Sequence, residues 1–254
     1  MVVCPGQGSQ RSDITDTAVV QPLIVSTSLR SYRGGADLVA GHSVGMLTAF
    51  AIAGAFDFES AIQLATIRGR LFSEVTSPPH PPGGMSALIG KNVLAQFEAL
   101  HSGLQVAVVN SDSQIVVAGP LAALANLAAI VPRGVRVNQL AVSGAFHTEA
   151  MQGAVAGLAE ALTKTKIKDP TIPVISDLTG ELFTGGEHGC GAASDIVSHL
   201  IAQITNPVRW DLVSVQIKSQ ISSGDEIFEA APSGTLSGLL KRELDSEHVE
   251  LKSL

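Results

Sequence analysis

Leu38-Val39-Ala40-Gly41-His42-Ser43-Val44-Gly45-Met46-Leu47-Thr48-Ala49-Phe50-Ala51-Ile52-Ala53 is the stretch on which the reading of this chain turns. Three apolar residues suit a short buried strand. The run from Met46 to Ala53 is a good helix former. Between them Gly41–Gly45 is a GxSxG turn with Ser43 at its apex. A serine hydroxyl is a weak nucleophile until it is lifted clear of the backbone and given a base. Flanking glycines allow the tight turn that exposes Oγ, and the helix behind it places free N–H groups and a partial positive charge beside any developing oxyanion. Strand, sharp turn and helix are the context that gives the motif meaning. They point to an α/β fold with a serine nucleophile.

Outward from this stretch the chain divides. Upstream, Val2-Val3-Cys4 reads as a short buried strand running into the turn Pro5-Gly6-Gln7-Gly8-Ser9-Gln10, and a helix over 18–32 is capped by Asp16 or Thr17. Gly34-Gly35 ends it. Downstream, Phe58–Val75 is a second helix, and the proline- and glycine-rich run 77–84 reads as a linker. Beyond it come a strand (85–89), a helix (93–101), two strands (104–109 and 114–118) around a polar turn, a helix (121–130) and a strand (135–142). That β-α-β-β-α-β order is the ferredoxin-like arrangement. Residues 85–142 are therefore expected to form a small subdomain inserted into a larger one made of 1–84 and 143–254. The larger part resumes with helices at 149–165, 194–204, 212–222 and 236–242, strands at 174–176 and 227–229, and a loop at 185–191.

Composition narrows the function. The chain has 254 residues, 45% hydrophobic and 15% charged, with a mean hydropathy of +0.31, enough for a sizeable core and against disorder. Ala, Val, Leu and Gly prevail, as expected where helices pack on a buried parallel sheet. The net charge of −7 and the lack of a basic stretch argue against nucleic-acid binding. No apolar run is long enough to span a bilayer. The first residues lack the basic region of a signal peptide. Cys4 and Cys190 stand in no metal or redox spacing and read as free thiols, so a cytoplasmic location and no bound metal are expected.

Ser43 needs a base, and seven histidines are available. His42 adjoins the serine, but neighbours in a tight turn point apart. His80 lies in the proline-rich run, His188 in a glycine-rich loop and His248 in a charged tail. His101 and His199 fall at or near helix ends, where a solvated or dipole-facing histidine is unremarkable. His147 follows a strand end and precedes a helix, the usual place for a working side chain in an α/β fold. The alternative is a hydrogen-bonded histidine at a helix start. The 5–10 turn is neither a dinucleotide fingerprint nor a Walker pattern, and no Lys follows it. Its other use is to aim a backbone N–H at a substrate oxygen. An oxyanion hole needs two donors, here the N–H groups of Val44 and Gln7.

Taken together these motifs resemble the malonyl-CoA:acyl carrier protein transacylases of bacterial fatty acid synthesis and the related acyltransferase domains of polyketide synthases. The matching pieces come in the family's order: 5–10, Thr17 to Gln21-Pro22, Gly41–Gly45 and Ile67-Arg68-Gly69. Then come Gly84-Met85-Ser86-Ala87, Asn110 with Gln114, Gly144-Ala145-Phe146-His147, Asn206-Pro207-Val208-Arg209-Trp210, and Gly234 to Gly238-Leu239. The resemblance implies an α/β-hydrolase-like core with a ferredoxin-like insert. It implies Ser43 as the acyl-bearing nucleophile, His147 as its base, and Gln203 orienting the histidine through its backbone carbonyl, which would account for the lack of an obvious triad Asp. It assigns Arg68 to the malonyl carboxylate, which a planar fork can grip with parallel hydrogen bonds. Without the resemblance, Arg68 would read as a surface arginine on a helix. Phe146 and Asn110 would contact substrate, Phe146 being the malonyl-type residue where methylmalonyl-type domains carry Ser.

The partners implied are malonyl-CoA and an acyl carrier protein bearing phosphopantetheine, with no cofactor of the enzyme's own and a monomeric chain. Because carrier proteins are acidic, an acidic chain needs a local basic patch, and Arg209, Lys241 and Arg242 are candidates. Two departures stand out. Met46 replaces the family's Glu, expected to be a structural loss. The segment between Gln10 and Gly41 is much shorter than the family's, with a few residues also missing between Tyr32 and Leu38. Losing packed helices there would expose apolar surface at ~25 cal/mol per Å², several kcal/mol in all. The rival readings are a serine esterase or thioesterase, and a shortened relative without activity.

Overall fold

The computed structural model describes residues 1–9, 14–98, 100, 103–185, 193–232, 234–244 and 250–254. The chain opens on β1 (Val2–Cys4), crosses through α1 (Thr17–Ser31) to β2 (Val39–Gly41), and turns at once into α2 (Gly45–Ile52) and then α3 (Phe58–Thr76). There follow β3 (Gly83–Ile89), α4 (Val93–Glu98), β4 (Gln105–Ser111), β5 (Gln114–Pro120), α5 (Leu121–Ile130) and β6 (Arg136–Gln139). A 3-10 helix over Glu149–Ala154 leads into α6 (Val155–Thr163), β7 (Val174–Ile175), β8 (Leu182–Phe183) and α7 (Ala193–Ala202). The chain closes with β9 (Val208–Arg209), α8 (Trp210–Gln220), β10 (Glu226–Glu229), α9 (Thr235–Glu243) and β11 (Glu250–Ser253).

The fold is α/β with two sheets. The six-stranded sheet runs β11-β10-β1-β2-β7-β8 and is parallel except at β7–β8. The five-stranded sheet runs β6-β3-β5-β4-β9; β9 joins it parallel to β4, through Val108 opposite Val208, and the remaining pairs are antiparallel. Helix α2 is buried along its whole length, as a helix that is apolar all round must be. Met46 is fully enclosed there, so the position given to Glu in the family resemblance holds an apolar side chain in an apolar setting.

Helix α3 is built to carry one polar group inward. Asp57 caps it, accepting from Ser60 N at 2.7 Å. Its buried stripe is Ala61, Leu64, Ala65, Arg68, Gly69 and Phe72, at helical spacing, so Arg68 points into the core rather than to solvent. Helices α1 and α3 cross closely because Gly69 has no side chain: a Cβ there would sit 2.4 Å from the Thr17 carbonyl oxygen. Thr17 Oγ1 donates to the Gly69 carbonyl at 2.8 Å and locks the crossing. Asp16, not Thr17, caps α1, accepting from Ala18 N at 3.0 Å.

Several boundaries differ from the sequence expectation. Gly83 and Gly84 belong to strand β3, because each pairs with β5, so the linker ends before them. Strands β8, β9 and β11 were not expected; β8 and β9 span two residues each and take their shape from neighbours rather than from pattern. The start of the expected 149–165 helix is a 3-10 turn. Strand β6 is shorter than the expected 135–142. His101, His188, Cys190, His248 and Gln10 lie outside the described residues.

Candidate active site

Ser43 sits at the C-terminal end of β2 with φ 56°, a left-handed conformation rare for a side chain with a Cβ and a mark of local strain. The turn is tight because Gly45 lets the backbone pass: a Cβ there would lie 2.2 Å from the Cys4 carbonyl oxygen. Ser43 N–H, turned inward, donates to Asp177 Oδ2 at 2.8 Å. The hydroxyl faces the other way, toward His147.

His147 Nε2 lies 2.7 Å from Ser43 Oγ, and His147 Nδ1 lies 2.8 Å from the Gln203 carbonyl oxygen. A carbonyl oxygen only accepts, so Nδ1 carries the hydrogen and Nε2 keeps a lone pair for the serine proton. His147 also has a positive φ, 59°, and is buried. Burial, and next the charge of Arg68, push its pKa down to about 4, against the raising effect of the Gln203 hydrogen bond. The imidazole is thus neutral near pH 7 and able to take a proton.

Arg68 comes up from α3 under the serine. Nη1 donates to Gln21 Oε1 at 2.8 Å, and Nη2 reaches Gln203 Oε1 at 3.2 Å and Ser43 Oγ at 3.4 Å. Its guanidinium lies over the Phe72 ring at 4.3 Å, and Phe72 in turn meets Phe146 at 5.4 Å. Burial lowers Arg68 to about 10, so it remains a cation at neutral pH.

A cavity of about 440 Å³ opens beside Ser43 between the two sheets. Its floor is Ser43, His42 and His147, and its walls come from the 6–8 turn, from β3–β5 and from α9. Gln7, Asn110 and Phe146 all line it. Gln7 Oε1 is a buried acceptor without a protein partner among the described residues, and the buried Asn110 side chain faces His42. The backbone N–H groups of Gln7 and Val44 likewise make no hydrogen bond among the described residues. His42 rests against Trp210, ring centroids 5.6 Å apart, and burial lowers its pKa despite the nearby Asp177 charge.

Ser43, His147, Gln7, Asn110 and Phe146 thus line one cavity, with Arg68 and Gln203 hydrogen-bonded beside it and Val44 following the serine; of the basic candidates only Arg242 reaches it. The reading of His199 needs correction: it is buried in α7, its Nε2 lying 3.1 Å from Asp177 Oδ1, because that face of the helix packs on the sheet. Sequence reasoning missed Asp177 and Gln21. Gln21 had a signal, since it falls on the buried stripe of α1 opposite Arg68. Asp177 had none: it follows β7 in an ordinary polar turn. Arg68 is not a surface residue.

Among α/β folds, a serine raised on a strand–helix turn with an imidazole against its hydroxyl is the arrangement of serine-based acyl transfer. The chain belongs to the acyl transferase domain family, whose model matches residues 11–189. It is 38% identical over 252 residues to the malonyl CoA-acyl carrier protein transacylase of Mycolicibacterium smegmatis, covering 94% of this chain and 83% of that protein. The crystal structure of MCAT from Mycobacterium tuberculosis superposes with a TM-score of 0.87 at 35% identity, over 100% of this chain and 95% of that one. The acyltransferase domain of an iterative polyketide synthase in enediyne biosynthesis gives a TM-score of 0.82 at 29% identity, over 99% of this chain and 64% of that one.

Proposed function

We propose that this acyltransferase moves a malonyl group from malonyl-CoA to the phosphopantetheine thiol of an acyl carrier protein, as the names of its relatives suggest. The observation that carries the reading is the continuous chain Gln203 O–His147–Ser43, with Arg68 Nη2 3.4 Å from Ser43 Oγ. His147 Nε2 takes the serine proton as Oγ attacks the thioester carbonyl. The N–H groups of Gln7 and Val44 are the donors for the oxyanion. The coenzyme A thiolate leaves and takes the proton back from His147, and a malonyl-serine ester remains. In the second half, His147 takes the proton of the carrier's thiol. The thiolate attacks the ester carbonyl, and Ser43 recovers its proton as the thioester forms. Arg68 pairs with the free carboxylate, while Phe146 and Asn110 shape the acyl and thioester end of the cavity. The steps exchange an acyl group between oxygen and sulfur and call for no metal or redox group.

The same reading divides the chain into an α/β-hydrolase-like core, 1–84 and 143–254, and a ferredoxin-like part, 85–142. The sheet order β6-β3-β5-β4 supports it, with β9 of the core added at the edge. A monomeric cytoplasmic enzyme, with docking of the carrier near Arg242 at the cavity mouth, completes the proposal. No helix among the described residues is long and apolar enough to cross a membrane.

The test is intact-mass spectrometry after incubation with malonyl-CoA. A single malonyl adduct on the wild type, mapped to Ser43 and missing in Ser43→Ala, is expected. An adduct that survives in Ser43→Ala defeats the assignment. Rapid hydrolysis of the adduct without a carrier would favour an esterase instead.

A further inference from the structure

Gln203 stands in two networks at once. Its backbone carbonyl accepts from His147, and its side-chain Oε1 accepts from Arg68 Nη2 at 3.2 Å. Its Nε2 donates to the Ser43 carbonyl at 3.0 Å and to both oxygens of Asp177, at 3.0 and 2.8 Å. Asp177 is fully buried, as are Gln203 and Arg68 to within 2%. An amide can sit either way round, and what it faces decides. Asp177 as a carboxylate only accepts, and a guanidinium only donates, so the two hold the amide in the same sense. Burial pushes the Asp177 carboxyl up, but hydrogen bonds from His199, Gln203 and Ser43 N–H outweigh it and hold it below its ordinary range.

His199 is placed to keep that carboxylate still. Ser176 Oγ accepts from the N–H groups of Leu178 and Thr179, which leaves its own hydrogen for His199 Nδ1 at 3.4 Å. The ring hydrogen is then on Nε2, pointing at Asp177 Oδ1. Asp177 therefore receives three kinds of donor on its two oxygens, from the nucleophile turn, from α7 and from Gln203.

We infer that Asp177 is a positioning residue for substrate selection: it fixes the Gln203 amide so that Oε1 holds Arg68 beside Ser43, linking the nucleophile turn to the carboxylate-binding cation. This rests on the proposed role of Arg68. Asp177 makes no hydrogen bond to Arg68, although its charge acts on the guanidinium and raises its pKa against burial; the geometric link runs through one amide. Asp177→Asn keeps the shape but brings an NH₂ against one of the incoming donors. Either Gln203 turns over, facing N–H to N–H with Arg68, or a donor loses its acceptor.

The experiment measures kcat/KM for malonyl-CoA and acetyl-CoA in wild type, Asp177→Asn, Gln203→Met, their double mutant and Arg68→Ala, with thermal melts as a check on folding. Gln203→Met removes the amide and leaves the backbone carbonyl for His147. The expected result is a malonyl-to-acetyl ratio lowered about tenfold in each single variant, the effect of one charge-assisted hydrogen bond. The double mutant should be no worse than the singles, as for residues acting through one link. Equal losses on both substrates in Asp177→Asn, or additive losses in the double mutant, overturn the inference and leave Asp177 a structural residue. If Asp177→Asn does not fold, Gln203→Met decides from the other end, an unchanged ratio overturning it. Arg68→Ala separates the two ideas. An unchanged ratio there removes the carboxylate-binding role of Arg68; a lowered ratio there with an unchanged one in Asp177→Asn removes only the positioning role.

Discussion

His147 meets solvent conditions through its pKa, and that gives a prediction of sign as well as size. Its folded value is about 4, below the ordinary 6.5. Only the neutral ring can take the serine proton, so the acid limb of kcat/KM for acylation should be centred near 4 and not near 6.5; a limb near 6.5 would show a ring far more solvated than this one. The same shift bears on stability. Between pH 6.5 and 4 the unfolded chain binds a proton here that the native state does not, so stability falls as pH drops through that window, by about 3 kcal/mol in all. Asp177, held low, yields its share only at lower pH. Urea midpoints for wild type and His147→Gln at pH 7 and pH 5 measure the difference, and His147→Gln should lose less on acidification. At this scale the sequence was legible where chemistry has a local signature. Ser43 is marked by its glycines and flanking elements, and His147 by its place between strand and helix. Asp177 was not legible, because its partners come from the turn after β2, from α7 and from Gln203 just past it, and nothing in its own neighbourhood marks it. His199 was misread for the same reason: a helix-end histidine is ordinary until a buried carboxylate from another element faces it.

Helix α9 closes one side of the cavity, and its first turn is held by a single side chain. Glu229, at the end of β10 and fully buried, accepts from the N–H groups of Gly234, Leu236 and Ser237 at 2.8–2.9 Å. These are the donors a helix start leaves free, so the carboxylate caps the helix from a neighbouring strand. Glu229→Ala should cost about 2–4 kcal/mol, since three donors lose their acceptor. Glu229→Gln keeps an oxygen and should cost about half as much. Urea unfolding monitored by circular dichroism checks both, and a loss below about 0.5 kcal/mol in Glu229→Ala would mean that water caps the turn equally well. The elements themselves were largely readable: each long helix and each strand with an apolar run appeared near its expected place. What escaped were the two-residue strands β8 and β9, and β11, whose sequence carries charge at alternate positions. Such strands exist because a neighbour offers an edge, and an edge is not written in the segment that pairs with it.

On the scale of the molecule, the stretch between the first two strands holds the site together while presenting apolar groups on the surface. Strand β1 still pairs in parallel with β2, Val2 opposite Val39 and Cys4 opposite Gly41, and α1 still packs on α3, so Ser43, His147 and Arg68 stay within hydrogen-bond reach. The outer side of α1 and the start of α3, however, present large apolar groups: Val19 at 47%, Leu23 at 44% and Phe58 at 42% exposure. Val19 and Leu23 are one helical turn apart and form a stripe facing outward. Apolar side chains so exposed contribute little to folding but favour association between copies. Val19→Glu with Leu23→Lys sets an acidic residue one turn before a basic one, the favourable order on a helix. The double variant should therefore unfold within about 0.5 kcal/mol of wild type, as surface changes do, keep its malonyl-CoA turnover, and show less light scattering as concentration rises. A loss of more than about 2 kcal/mol would mean that this face is packed against other parts of the chain, because only burial gives two such side chains that much to lose.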